Sequence, residues 1–89
     1  MMEIVFNKKF LKDLASISSK QRVKIESYVF KDYSNAEDIL NSGKLEKLKD
    51  YSQFYKIRIG DYRLGIKIEG NIFSYERVLH RKEVYKYFP

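Results

Sequence analysis

Eighty-nine residues, 44% hydrophobic and 16% aromatic, supply enough apolar surface for one folded core and too much for a disordered tail. Eighteen Lys and Arg against twelve Asp and Glu leave a net charge of +6, which points to an anionic partner: RNA, DNA, an acidic protein segment or a membrane surface. With no Cys, disulfides, thiol catalysis and Cys-based zinc sites are excluded; with no signal-peptide layout and no apolar run near ~20 residues, a cytoplasmic domain spanning 1–89, with no membrane partner, is expected.

Glu3-Ile4-Val5-Phe6 reads as a short strand, and Asn7 as the N-cap of a helix. Phe10, Leu11, Leu14 and Ile17 form its apolar stripe, with Lys8, Lys9 and Lys12 off that stripe. Ser18 and Gln21 match a capping box that restarts a second helix. That helix runs to about Phe30 or Tyr33 and offers Val23, Ile25, Val29, Phe30 and Tyr33 for burial. Two helices with a short break predict an antiparallel helical hairpin. Ala36 to Leu40 adds a helical turn that Asn41-Ser42-Gly43 ends, and Leu45 and Leu48 anchor the connector that follows.

Three strands are predicted at about 53–59, 62–69 and 72–79, joined by turns at Gly60-Asp61 and Gly70-Asn71. Alternation puts Tyr55, Ile57, Ile59, Tyr62, Leu64, Ile66 and Ile68 on an apolar face. It puts Lys56, Arg58, Arg63 and Lys67 on the other. In the last strand Phe73, Tyr75, Arg77 and Leu79 are read as the inward set. Residues 80–89 predict a short helical turn closing on the sheet. The expected fold is α+β: an N-terminal strand, then a helical hairpin on a three- to four-stranded antiparallel sheet in the order β-α-α-β-β-β.

His80 is the only His, and no Asp/Glu cluster has ligand spacing, so no metal or other cofactor is expected. No Ser sits in a nucleophile elbow, and the four Gly are too scattered for a phosphate loop. What remains is a cationic set: Lys56, Arg58 and Arg63, with Arg81 and Tyr85 from the C-terminal segment. Such a set suits phosphoryl chemistry on RNA. The 2′-hydroxyl is a nucleophile already held beside the phosphate, so a catalyst need only orient it, neutralise growing charge and move protons. Arg gives bidentate phosphate contacts. A solvated face that guards the sheet against aggregation accounts for the same pattern equally well.

The block Tyr55–Leu64, followed by His80-Arg81-Lys82-Glu83-Val84-Tyr85, resembles the RelE/ParE toxin superfamily of toxin–antitoxin modules. The Phe10–Leu14 helix and the Lys47-Leu48-Lys49 approach fit the resemblance as well. Within the superfamily, the chain is more similar to the RelE-like mRNA endonucleases than to the ParE-like gyrase poisons. The resemblance implies a ribosome-dependent, metal-independent endoribonuclease. By it, Lys56 takes the general-base position, Arg58 replaces a second lysine, and Arg63 and Arg81 stabilise the phosphate. Tyr85 stacks on and orients the nucleotide. Lys49, Lys67 and His80 are further RNA-binding candidates, His80 suiting an acid–base or a turn role. Gly65 stands where many relatives carry a bulky residue, which predicts a widened groove or a bulge. Tyr87 and Phe88 are read as packing. Lys8, Lys9, Lys12, Lys44 and Lys47 are candidate ribosomal RNA contacts or simply solvated. Implied partners are a cognate antitoxin, a ribosome with mRNA in its decoding site, and operator DNA through the antitoxin complex. The alternatives are a ParE-like gyrase inhibitor and an inactive module that binds only antitoxin and DNA.

Overall fold

The computed structural model describes residues 2–89. Strand β1 (Glu3–Phe6) passes into helix α1 (Lys8–Ser16) at Asn7, whose side chain accepts a 2.9 Å hydrogen bond from the Lys9 N–H, as an N-cap should. Helix α2 (Ser19–Ser27) follows after Ile17-Ser18. The expected capping box is absent, because the Ser18 side chain makes no capping bond. Helix α2 widens into a π-helical turn at Tyr28–Asp32, where the Tyr33 N–H reaches the Tyr28 carbonyl at 3.0 Å. Tyr28 and Val29 enter the core there, whereas Phe30 and Val23, both expected inside, are 47% and 58% exposed. Helix α3 (Ala36–Asn41) is capped by Asn35, which accepts from the Asp38 N–H at 2.8 Å.

The sheet has five strands in the order β1-β5-β4-β3-β2, with β2 at Glu46–Lys47, β3 at Phe54–Ile59, β4 at Tyr62–Glu69 and β5 at Ile72–His80. This corrects the expected three or four strands in two respects. The connector contributes the two-residue edge strand β2, and β1 lies parallel to β5 while the other pairings are antiparallel. The turns fall where expected, with Gly60 and Gly70 at φ +56° and +60°, backbone angles that cost an L side chain but not Gly.

Strand β5 carries the second correction. Gly65 pairs with Arg77 and Ile66 with Tyr75, so Glu76 is an extra residue without a partner on β4. The bulge shifts the phase of the strand. Phe73 and Tyr75 face the helices before it, and after it Val78 does, not Arg77 and Leu79. Helices α1 and α2 and the sheet thus enclose a core built on Phe10, Ile25, Ile57, Leu64, Ile66, Phe73 and Tyr75, all at most 1% exposed. Asp13 on α1 fastens the bulge to this layer. Its carboxylate accepts from Arg77 Nε at 2.7 Å, Arg77 Nη2 at 3.1 Å and the Val78 N–H at 3.2 Å. This pairing keeps the Arg77 guanidinium protonated beyond its ordinary range.

The opposite face of the sheet is not wholly open. Helix α4 (Val84–Tyr87) and Phe88 fold back onto it, and Leu48, Val84 and Phe88 form a second small cluster with Phe54 and Leu79. Phe88 lies directly over Gly65, where a Cβ would stand 2.8 Å from its ring. Gly65 therefore opens no groove: the space above it is filled by Phe88. Of the two aromatics expected to pack, Phe88 is 5% exposed while Tyr87 is 51% exposed.

Candidate active site

The second cluster positions a cationic group at one end of the outer face. Lys56 pairs with Gly65 across β3 and β4, and Arg58 with Arg63. Helix α4, held by Val84 and Phe88, carries Tyr85 to the same place. There the Lys56 ammonium donates a hydrogen bond to the Tyr85 hydroxyl and lies 4.8 Å from the centre of its ring. The Lys56 side chain is 13% exposed, while Tyr85 is 70% exposed. A covered ammonium bound to a projecting phenol offers one proton-carrying group and one flat surface for a base.

Three guanidinium groups lie on the adjoining, turn-proximal part of the sheet. Arg63 is anchored by its own hairpin: Nη1 donates to the carbonyls of Gly60 and Tyr62, both at 2.9 Å. Arg58 stands opposite it, 63% exposed. Like charges facing each other across two strands repel, and a bound anion removes that cost. Arg81 joins from the end of β5. Its N–H donates to the Asp61 carbonyl at 2.7 Å, and its Nε lies 3.7 Å from the Asp61 carboxylate. Lys56 and Tyr85 are thus in direct contact, while Arg58, Arg63 and Arg81 lie nearer the Gly60-Asp61 turn, on an open surface.

The other expected contacts lie elsewhere. Lys67 shares the face, but Phe88 over Gly65 stands between it and Arg63, and its ammonium pairs with Glu69 at 3.6 Å. Lys49 is exposed in the turn after β2. His80 pairs with Tyr62, packs edge-on against that ring at 5.5 Å, and its Nδ1 accepts from the Lys82 N–H at 3.2 Å. Because Tyr62 belongs to the helix-facing core, His80 lies with that layer, away from the Lys56–Tyr85 pair.

Two acidic residues missed by the sequence reading belong to this region. Glu46 on β2 reaches Lys56 at 3.8 Å and Arg58 at 3.5 Å. Asp61, read only as a turn residue, holds Arg81. No group of three or more His, Asp or Glu side chains is placed to hold a metal ion among the described residues. Among the same residues, no helix is long and apolar enough to cross a membrane.

Residues 4–85 match the family model described as the ParE toxin of type II toxin–antitoxin systems, parDE. The chain is 40% identical over 90 residues to the Toxin RelE3 of Methanocaldococcus jannaschii, spanning 99% of this chain and 100% of that protein. Its fold superposes on the toxin–antitoxin complex RelB-RelE from Methanococcus jannaschii with a TM-score of 0.74 at 39% identity, over 96% of this chain and 99% of the matched one. The RelBE2 complex of Mycobacterium tuberculosis shares the fold at a TM-score of 0.69 and 20% identity, over 90% and 91% of the two chains. The chain belongs to the RelE/ParE toxin family of type II toxin–antitoxin systems.

Proposed function

We propose that this toxin cuts mRNA in the ribosomal decoding site by turning the RNA's own 2′-hydroxyl on the adjacent phosphate. The observation that carries this reading is the Lys56 ammonium bonded to the Tyr85 hydroxyl, with the facing pair Arg58 and Arg63 on the same two strands. In the proposed reaction Lys56, in its neutral form, takes the 2′-hydroxyl proton. The freed oxygen attacks phosphorus, the P–O5′ bond breaks, and O5′ gains a proton from the Tyr85 hydroxyl. The products are a 2′,3′-cyclic phosphate and a 5′-hydroxyl. Arg63, fixed by two carbonyls, and Arg58 and Arg81, exposed and each tied only to one surface carboxylate, neutralise charge on its oxygens, the work a metal would otherwise do. The Tyr85 ring stacks on the neighbouring base, a contact worth roughly 1–3 kcal/mol.

The openness of the site supports dependence on the ribosome. With Arg58, Arg81 and Tyr85 each more than half exposed, the protein alone neither encloses the RNA nor excludes water from it. An outside template must hold the nucleotide in line for attack. Lys49, and Lys8, Lys9, Lys12, Lys44 and Lys47 beyond the site, supply charge toward ribosomal RNA in this reading. The relatives solved with RelB support a cognate antitoxin as partner here, with operator DNA reached only through that complex. Gyrase inhibition is the second reading, favoured by the match to the ParE family model.

Expression in cells, with mapping of mRNA ends on stalled ribosomes, tests the proposal. Wild type should produce codon-phased cuts that an Arg63→Ala, Arg81→Ala double variant loses. Double-strand DNA breaks with intact mRNA would establish the gyrase reading instead.

A further inference from the structure

Among the described residues, Glu46 is the one carboxylate that reaches Lys56 and Arg58, bridging the two cations from the edge of the sheet. It faces Lys56 directly in the β2–β3 register. Its side chain is 42% exposed, and the strand that carries it is two residues long and outermost in the sheet. The carboxylate is therefore held by charge and not by packing, and it can leave without disturbing the core. Its position between the two cations is that of an anion at an anion site. A phosphodiester arriving at Lys56 and Arg58 meets this carboxylate first, because two anions cannot share one pair of cations without strong repulsion.

We propose that Glu46 is the resident anion of the site: it occupies Lys56 and Arg58 in the free protein and is displaced by the substrate phosphate. This rests on reading the cluster as a phosphate site. Glu46 acts as a positioning and selectivity residue. It keeps Lys56 beside Tyr85 before substrate arrives, and it raises the threshold for capture of stray RNA or DNA in solution. A phosphate presented in the right place by a template gains Arg63 and Arg81 as well, and so outcompetes the carboxylate.

The test is the binding of a short, fluorescently labelled, all-2′-deoxy single strand over a range of salt concentrations. Wild type is compared with Glu46→Gln and with Glu26→Gln, which removes the same charge beside Arg22 on the helical layer. Glu46→Gln should bind about five- to tenfold more tightly at low salt, the scale of two released exposed ion pairs. Its salt dependence should steepen by ~0.7 for each freed cation, about 1.4 for both. Glu26→Gln should stay close to wild type. Equal gains in the two variants, or no gain in Glu46→Gln, would overturn the proposal. A strand without 2′-hydroxyls cannot undergo the proposed cleavage, so this outcome is read independently of the nuclease reading, which the mRNA ends decide.

Discussion

The contact between Gly65 and Phe88 joins the sheet to the segment that carries Tyr85, and Gly65→Ala probes it. No positive φ demands glycine at this position; the constraint is the Phe88 ring, 2.8 Å from where a Cβ would be, closer than real Cβ contacts come. Overpacking of this kind costs about 1–3 kcal/mol. If the ring is expelled instead, the loss of a buried Phe costs about 1.5–3 kcal/mol. Against this, Ala is better than Gly in a strand by about 0.5–1 kcal/mol. The net expectation is a loss of about 1–2 kcal/mol in urea unfolding. In a Phe88→Ala background the clash is gone, so Gly65→Ala should there be neutral or stabilising by about 0.5–1 kcal/mol. The cycle should give a coupling of about 2 kcal/mol between the two positions. Tyr85 lies three residues before Phe88, so Gly65→Ala should also slow RNA cleavage by about ten- to a hundredfold. An equal loss of stability in both backgrounds would refute the reasoning.

Other expectations follow from the core and the site. The Tyr75 hydroxyl is buried without a hydrogen-bond partner, so Tyr75→Phe should raise stability by about 1 kcal/mol, read from the thermal midpoint. Burial, with Tyr33 beside it, pushes the Tyr28 hydroxyl from 10.0 up to about 12. The folded state thus keeps a proton that an unfolded tyrosine loses, and Tyr28's share of stability should fall by about 2 kcal/mol between pH 10 and 12, a share that Tyr28→Phe removes in pH-dependent urea titrations. Asp13→Asn breaks the two-pronged contact with Arg77 and should cost about 2–3 kcal/mol in the same urea assay. Arg63→Lys keeps the charge but loses the double anchor on Gly60 and Tyr62, and should reduce single-turnover cleavage about a hundredfold with little change in stability.

The hairpin of β3 and β4 was legible because alternation and the Gly60-Asp61 turn are local signals that agree with each other. The same logic failed in β5, where Glu76 inserts an extra residue and reverses the phase; Ser74 donates a hydrogen bond to the Glu76 carboxylate there, a local tie no periodicity reveals. It failed for β2 because two residues pairing with β3 leave no pattern of their own. Phe30 fits a helical stripe, yet the π-helical turn directs Tyr28 and Val29 inward and leaves Phe30 against Phe6 at the surface, ring centres 5.2 Å apart. The cations Lys56, Arg58 and Arg63 could be grouped from strand alternation alone. Arg81 and Tyr85 could be added from the C-terminal segment and given roles by the resemblance, but the contact of Tyr85 with Lys56, 29 residues away, has no local signature. Glu46 was invisible for the same reason: in the sequence it is one acid among lysines, and only the edge pairing turns it toward Lys56.

The most direct test of the central claim is single-turnover cleavage of an mRNA held on programmed ribosomes, with one 2′-deoxy substitution at the nucleotide 5′ to the scissile phosphate. The wild-type protein should cut the all-RNA message to a 2′,3′-cyclic phosphate and a 5′-hydroxyl and should leave the substituted message intact. Undiminished cutting of the substituted message, or 5′-phosphate ends on the products, would contradict a mechanism in which Lys56 draws the 2′-hydroxyl proton.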